Sequence, residues 1–331
     1  MAVVGMCSLC FMDLPAEVRV AERRIRPFIR ETPVEHSLFL SELGGATVYL
    51  KCENLQHTGS FKARGAMNRL LVLSPTERKR GVVAASTGNH GAAIARSAAV
   101  LDMPAIVYVP EEADASKLRS IARHGAEVRY HGDDCVVTEA FARAYADEHS
   151  LPYVSGYNDF HVVAGQGTIG AELERQLDRI DAVFVTLGGG GLISGIAGYL
   201  KSVHPEITVV ACSPENSKVM LESVRAGRIL DLPSLPTLSD GSAGGVEPGS
   251  ITFDWCRELV DEFVTVTEGE IAETLCTFLD AHHMLIEGAA AVAVASYRVL
   301  QERFKGKSVV IVLCGANIAL DTLRGVLEGT R

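Results

Sequence analysis

Thr58-Gly59-Ser60-Phe61-Lys62-Ala63-Arg64-Gly65-Ala66 places one lysine among small and mostly apolar residues, after a Gly-Ser turn and at the start of a helical run from Phe61 to Leu73. A lysine so placed sheds part of its hydration, which favours the uncharged amine, and a neighbouring cation such as Arg64 is expected to push its pKa down further. An amine of that kind can form a Schiff base with a carbonyl compound. The same residues also describe a surface lysine on an amphipathic helix, so the decision passes to what flanks them.

On the N-terminal side, Thr47-Val48-Tyr49-Leu50-Lys51-Cys52 alternates as a strand does and leads into the lysine segment. Further back, Val18, Val20, Ile25, Phe28 and Ile29 among Arg and Glu predict a helix from Leu14 to Arg30, ended by Pro33. Beyond the lysine, strand and helix signals take turns. Gly81 to Ser86 reads as a buried strand, Gly91 to Leu101 as an alanine-rich helix, and Ala105 to Val109 as a strand. Ser116 to His124 is a helix stopped by Gly125, Glu127 to Tyr130 a strand, and Asp133 to His149 a helix. This βαβα order predicts a parallel sheet with helices on its faces, and the block from about Pro75 to Tyr157 reads as one compact domain. After Gly165-Gln166-Gly167-Thr168 come a helix (Ile169 to Leu177) and the buried strand Asp181 to Thr186. Val209 to Cys212 and Val309 to Leu313 are further strands, Leu232 to Gly249 is a long Pro-, Gly- and Ser-rich loop, and Gly269 to His282 and Gly288 to Arg303 are helical.

Three polar or glycine-rich stretches stand at the ends of these strands. Gly188-Gly189-Gly190-Gly191 follows a strand and precedes the apolar helix Leu192 to Leu200, so its amides and the helix N-terminus suit a phosphate. A dinucleotide loop or a plain tight turn is the alternative. Gly189, Gly191 and Gly195 form only a loose G-x-G-x-x-x-G, however, and Val210-Ala211 runs into Cys212-Ser213 where a ribose would need an acid. Ser86-Thr87-Gly88-Asn89-His90-Gly91 is a polar strand-to-helix turn suited to a carboxylate, or else a helix cap with a core histidine. Cys314-Gly315-Ala316-Asn317 follows the last apolar strand, where a lone cysteine is ordinarily core.

With Ser60-Phe61-Lys62-Ala63-Arg64-Gly65-Ala66, these stretches stand in the order and approximate spacing of the fold-type II pyridoxal-phosphate enzymes. From about Ile25 to about Leu320 the chain resembles their threonine/serine dehydratase and serine racemase branch. The resemblance implies an α/β fold like that of the tryptophan synthase β-subunit, with two open, parallel or mostly parallel sheets carrying helices on both faces. A large cofactor-binding domain would comprise 1–74 and 158–331, and a small mobile domain, 75–157, would close over substrate. It implies pyridoxal 5′-phosphate held by Lys62, with Phe61 near the ring, Gly188, Gly189, Gly190, Gly191 and Leu192 at the phosphate, Asn89 at the phenolic oxygen and Cys314 at the pyridine nitrogen. Ser86, Thr87, Asn89 and His90 would receive the substrate, and Lys62 would take its Cα proton. A neutral thiol leaves the ring nitrogen largely unprotonated, which favours elimination over reactions needing a long-lived carbanion.

The implied reaction converts a 3-hydroxy amino acid such as L-threonine or L-serine to a 2-oxo acid and ammonia. The chain also resembles the dehydratase-like proteins of hydroxyectoine utilisation through Ser86 to His90 and the loop Gly241-Ser242-Ala243-Gly244-Gly245, so a more unusual hydroxy amino acid is a second expectation. An amino-acid racemase is a third. There the branch has a serine at the position of Thr87 that protonates the face opposite the lysine; Thr87 keeps that hydroxyl and is with Lys62 the expected catalytic pair, but its extra methyl group puts racemisation in doubt. A nucleotide-binding oxidoreductase or non-catalytic binding protein on the same glycine loop is the rival from another class. The branch's divalent-cation ligands are not matched, since Ser213 and Val219 stand where acids are expected, and no metal is assigned.

Composition sets the outer bounds. A chain of 331 residues with 47% hydrophobic and 22% charged residues supports two domains or one large α/β unit, and a net charge of −10 argues against nucleic acid or an anionic membrane as the main partner. The expected partners are a small amino-acid substrate and a second copy of the chain, as a homodimer. Eight cysteines without a framework spacing, and no secretory signal, predict reduced thiols in the cytoplasm. The apolar run Met1 to Phe11 lacks a basic start and a cleavage site and is expected to be a ragged leader or a tucked strand; Cys7 and Cys10 form only half a zinc-knuckle spacing. No run approaches the ~18 to 20 apolar residues of a membrane span.

Overall fold

A parallel strand covered by helices on both faces has no side open to water, so it reads as an unbroken apolar run. Ala182–Thr186 and Ser308–Val312 are buried at every position, and they pair at the centre of a six-stranded sheet. The structure is a computed structural model that describes residues 13–113 and 115–329, with 115–117 described by backbone alone; Met1 to Phe11, with Cys7 and Cys10, lies outside the described residues. In chain order the elements are α1 (Leu14–Ile25), β1 (Val34–His36), α2 (Leu38–Gly44), β2 (Thr47–Lys51), α3 (Lys62–Leu71), α4 (Pro75–Arg80), β3 (Val82–Ala85), α5 (Asn89–Val100), β4 (Ala105–Val109), α6 (Ala115–Arg123), β5 (Glu127–Tyr130) and α7 (Cys135–Glu148). There follow α8 (Phe160–Gln176), β6 (Ala182–Thr186), α9 (Gly191–Val203), β7 (Thr208–Pro214), α10 (Val219–Ala226), α11 (Ile251–Leu259), β8 (Glu262–Val266), α12 (Glu268–His282), α13 (Gly288–Leu300), β9 (Ser308–Val312) and α14 (Leu320–Leu327).

The larger sheet has the order β1-β2-β9-β6-β7-β8, antiparallel only between β1 and β2. The smaller sheet, β3-β4-β5, is parallel throughout. Two open, mostly parallel sheets are therefore present, as the family resemblance implies. The register pairs Lys51 with Val312 and Phe184 with Ile311, so β2, β6 and β9 end side by side. Loops leaving the C-terminal ends of adjacent parallel strands are where open α/β sheets bind ligands.

Two predicted helices differ from those observed. The helix from Leu14 ends at Ile25 rather than near Arg30: Arg26 still has helical dihedrals and donates to the Glu22 carbonyl, but Pro27 has no N–H with which to continue the ladder. Gly165-Gln166-Gly167-Thr168, predicted to precede a helix, lies inside α8, which begins at Phe160 where the Asp159 side chain accepts from the His161 and Val162 N–H groups at 2.8 and 3.0 Å. Glycines weaken an isolated helix, but here they let three helices touch backbone to backbone. A Cβ on Gly165 would come within 2.6 Å of the Gly65 Cα on α3, and one on Gly195 of α9 within 2.6 Å of the Gly167 nitrogen. The start of α3 is thereby pressed onto the core.

Candidate active site

The chain leaving β2 turns through Thr58 (φ 60°) and Gly59 (φ 73°) into α3, whose first residue is Lys62 with Phe61 as its N-cap. The chain leaving β9 lies against it. The Phe61 N–H donates to the Cys314 carbonyl at 3.0 Å, Ser60 bridges Gly315, and Asn317 Nδ2 donates to the Thr58 carbonyl at 2.7 Å. Thr58 is held in a left-handed conformation by this ring of contacts.

Lys62 Nζ donates to the Gly156 carbonyl at 2.6 Å. Burial penalises its charged form and brings its pKa down to about 8, against the opposing influence of Cys314 and Glu287. Arg64 has no part in this, contrary to the sequence-based expectation. Residues two apart on a helix do not face each other, and Arg64 turns into the core. There its Nε and Nη2 donate to Glu53 at 2.7 Å each, and its Nη1 and Nη2 donate to Glu172 at 2.8 Å each; Lys51 Nζ meets Glu172 at 2.6 Å. These four side chains are fully buried. Burial alone would raise the Glu172 pKa, but Arg64 and Lys51 outweigh it and hold the carboxyl at about 2.

Lys62 opens into a cavity of about 140 Å³ bounded by Phe61, Tyr157, Thr186, Gly188 to Leu192, the loop Gly241 to Gly245, Glu287, Ala289 and Cys314. A larger hollow of about 380 Å³ beside Pro236 to Leu238 and Ile318 to Thr322 contains neither Lys62 nor the glycine run, so the chemistry centres on the smaller one. Gly188 to Gly191 span the end of β6 and the N-terminus of α9, and each is hemmed in. An added Cβ would fall 2.7 Å from the Ser242 carbonyl at Gly188, 2.5 Å from the Tyr157 ring at Gly189 and 2.8 Å from Cys256 Sγ at Gly190, where φ is also +85°. Bare backbone amides at the positive end of a helix form an anion cradle. At the other side Cys314 is buried, and its thiol pKa is raised well above the usual value, first by burial and then by Glu287, so it stays protonated.

Ser86 to His90 join β3 to α5. Ser86 Oγ accepts from the Gly88 N–H at 3.2 Å, and Thr87 lies half-buried between them. Asn89, predicted to precede the helix, is its first residue. His90 is buried, with Nε2 on the Val154 carbonyl at 2.8 Å and Nδ1 without a partner; burial, and secondarily Lys62, lowers its pKa to about 3. It is a neutral imidazole whose Nδ1 can accept a hydrogen bond. Lys62, Phe61, Gly188 to Leu192 and Cys314 thus share one cavity. Asn89 does not line that cavity but bonds to Glu287 on its wall, and His90 stands across Gly156, where an added Cβ would lie 3.4 Å from the His90 ring and 3.3 Å from Lys62 Nζ.

Glu287 is the residue that sequence reasoning missed. Its carboxylate, 3% exposed, accepts Asn89 Nδ2 on both oxygens at 3.0 Å and the Asn317 N–H at 2.9 Å. Burial raises its pKa to about 7 despite those donors. Asn317 Nδ2 also reaches Asn89 Oδ1 at 2.5 Å, closing a triangle. A glutamate directly before the run Gly288-Ala289-Ala290-Ala291 was a visible signal for a helix N-cap acid. Tyr157, also missed, lays its ring on Gly189 and its Cα and Cβ against Gly191. Among the described residues no group of three or more His, Cys, Asp or Glu is placed to hold a metal ion. Where cation ligands were sought, Ser213 Oγ donates to the Leu187 carbonyl at 3.3 Å, and Val219 is the buried first residue of α10.

A profile of the family described as pyridoxal-phosphate dependent enzyme matches residues 25–315. The L-threonine ammonia-lyase of Thermotoga maritima is 41% identical over 315 residues, 94% of this chain and 77% of that protein. The L-threo-3-hydroxyaspartate ammonia-lyase of a Pseudomonas species is 36% identical over 313 residues, 95% of this chain and 98% of that protein. Among solved structures, the processed form of threonine deaminase isoform 2 from Solanum lycopersicum superposes with a TM-score of 0.92 at 31% identity, over 98% of this chain and 94% of the other.

Proposed function

The chain belongs to the pyridoxal-phosphate-dependent enzyme family, and from that premise we propose that it is an ammonia-lyase converting a 3-hydroxy amino acid such as L-threonine or L-serine to a 2-oxo acid and ammonia. Its cofactor is pyridoxal 5′-phosphate. When bound, that group supplies an electron sink that makes a substrate Cα proton removable. The residues present fit it, with an amine for its aldehyde, a glycine cradle that any side chain would fill for its phosphate, and a protonated thiol rather than a carboxylate for its ring nitrogen.

Lys62 is assigned two tasks at Nζ: it would hold the cofactor covalently, and as a free amine it would accept the substrate Cα proton. The observation that carries the reading is this amine, kept near a pKa of about 8 in one cavity with the glycine cradle and Cys314. A base is most useful when its pKa lies close to the working pH. Phe61 would lie against the ring, and Gly188 to Gly191 with Leu192 would hold the phosphate, since all of them line the cavity. Glu287 and Asn317 hold the Asn89 amide in one orientation for the phenolic oxygen. Ser86, Thr87 and His90 take the substrate carboxylate and its neighbours, His90 through the unpartnered Nδ1. The water lost with the 3-hydroxyl returns when the product hydrolyses, so the net change is substrate to 2-oxo acid plus ammonia.

Lys62 is the only cationic side chain among the described residues lining the cavity, and Glu287 is an acid there. A second substrate carboxylate would meet no partner, which favours an uncharged side chain over the 3-hydroxyaspartate of the Pseudomonas relative. A larger hydroxy amino acid of the hydroxyectoine type is a second reading. It is favoured by the open space at Gly244 and Gly245, where an added Cβ meets nothing within 4 Å. We further assign 75–157 as the small closing domain and 1–74 with 158–331 as the large one, a division supported by the two separate sheets. A cytoplasmic homodimer completes the reading. Exposed Leu38, Phe39 and Leu43 on α2 and the buried thiols of Cys52, Cys212, Cys256 and Cys314 support it.

The test is 2-oxo acid release by the purified protein from L-threonine, L-serine, L-threo-3-hydroxyaspartate and a panel of larger 3-hydroxy amino acids. Turnover of threonine or serine, absent in Lys62→Ala, is expected. Racemisation without 2-oxo acid release would overturn the reading.

A further inference from the structure

Gly156, whose carbonyl receives the Lys62 amine, sits in a four-residue segment, Ser155 to Asn158, with few anchors of its own. Ser155 Oγ accepts from the backbone N–H groups of Tyr157 at 3.4 Å and Asn158 at 3.1 Å, folding the segment into a tight loop. Both ends of that loop are then tied to one carboxylate far along the chain. Glu247 Oε1 accepts from Ser155 Oγ at 3.2 Å and Oε2 from Asn158 Nδ2 at 2.9 Å, while the Glu247 N–H donates to the Tyr157 hydroxyl at 2.9 Å. A third tie crosses from the other sheet. Arg143 on α7, stacked over Tyr153 at 4.2 Å and bonded to Glu139 at 2.8 Å, places Nη2 2.6 Å from Glu247 Oε1. Glu247 ends the glycine-rich loop that forms one wall of the cavity, and nothing in the proposed chemistry uses it.

We propose that Glu247 is a positioning residue: with Arg143 it clamps Ser155 to Asn158, so that the Gly156 carbonyl aims the Lys62 amine and the Tyr157 ring stays on the glycine cradle. The inference rests on the reading of Lys62 given above. Because the clamp spans α7, which packs on the small sheet, and the 240s loop, it also ties the two sheets together at the cavity mouth. A charge-assisted pair with further hydrogen bonds on both oxygens holds geometry better than an isolated surface pair. Aiming a base affects the proton-transfer step more than substrate affinity, so loss of the clamp acts on kcat and leaves KM nearly unchanged.

The test uses holoenzyme of wild type, Glu247→Gln, Arg143→Met, Arg143→Lys and the Glu247→Gln/Arg143→Met double variant. Glutamine keeps the shape of Glu247 but cannot accept at both oxygens. Expected are a kcat roughly tenfold lower in Glu247→Gln and Arg143→Met, retention of most of the rate in Arg143→Lys, and a double variant no slower than the slower single, as coupled residues require. Independently of turnover, hydrogen exchange at the Tyr157 and Asn158 amides is expected to be roughly tenfold faster in Glu247→Gln with the melting temperature within a few degrees of wild type. Unchanged exchange at those amides, effects that multiply in the double variant, or a rate loss that only follows a fallen melting temperature would each overturn the proposal. A wild type that releases no 2-oxo acid would count against the function itself, and the exchange result would still decide the clamp.

Discussion

Lys62 and Arg64 stand two residues apart on one helical turn and are buried in opposite ways. Arg64 enters a compensated ionic core, where Glu53 and Glu172 take its donors and Lys51 balances the second carboxylate. Lys62 enters a cavity where the nearest acid, Glu287, is itself pushed toward neutrality and the amine's one hydrogen bond goes to a carbonyl. Burial with partners makes a charge permanent, and burial without them makes it negotiable. A protein needs the first to hold a helix in place and the second to hold and move a proton, and the function proposed for Lys62 asks for both within one turn of α3.

Exchanging the roles of these two residues is the strongest way to break the comparison. Lys62→Ala is expected to lower kcat by about 10³- to 10⁴-fold while leaving the melting temperature within a few degrees, because no compensated pair is lost. Arg64→Met is expected to do the reverse. Leaving Glu53 and Glu172 buried without their cation costs about 3–5 kcal/mol, read as a lower urea midpoint, and activity falls only as folded protein is lost. Gly189→Ala sharpens the cavity side. Its new Cβ meets the Tyr157 ring, an overpacking worth about 1–3 kcal/mol, and faster cofactor release measured by dialysis is the expected sign.

The pH dependence carried by the glutamates of the two regions is the most diagnostic effect, because their signs are opposite. Glu172 has a folded pKa of about 2, below the ordinary 4.5, so its stabilisation is present above pH 4.5 and is lost as pH falls toward 2. Glu287 has a folded pKa of about 7, so its contribution is present below pH 4.5 and is lost as pH rises through 7. Urea midpoints between pH 4 and 8 are expected to fall less steeply above pH 5 in Glu287→Gln than in wild type. Glu172→Gln should instead lose the acid-side dependence. Parallel curves for wild type and Glu287→Gln would mean that the cavity glutamate is solvated after all.

The site was legible where function is written in short local runs. The Lys62 turn, the glycine run after β6 and the apolar strand before Cys314 each carry their chemistry within a few residues, and the strand registers bring them together. The roles of Glu287 and Glu247 were not legible: the sequence signals Glu287 only as an acid at a helix start, and its Asn89 partner is 198 positions away, while Glu247 works through partners about 90 positions away, distances no local pattern spans. The direction of Arg64 was misread for a related reason. Spacing along the chain put it near Lys62, but helix geometry and two distant acids turned it away. Gly165 to Thr168 was read as a break because glycine disfavours helices locally, whereas close approach of α3, α8 and α9 demands it.

The most direct test is to reduce the purified holoenzyme with borohydride, digest it and locate the pyridoxyl group by mass spectrometry. A single label on the Lys62 peptide, absent from Lys62→Ala, is what the contrast with Arg64 and its ionic core predicts. A label on another lysine, Lys51 included, or no label on a protein that still turns over substrate, would contradict it.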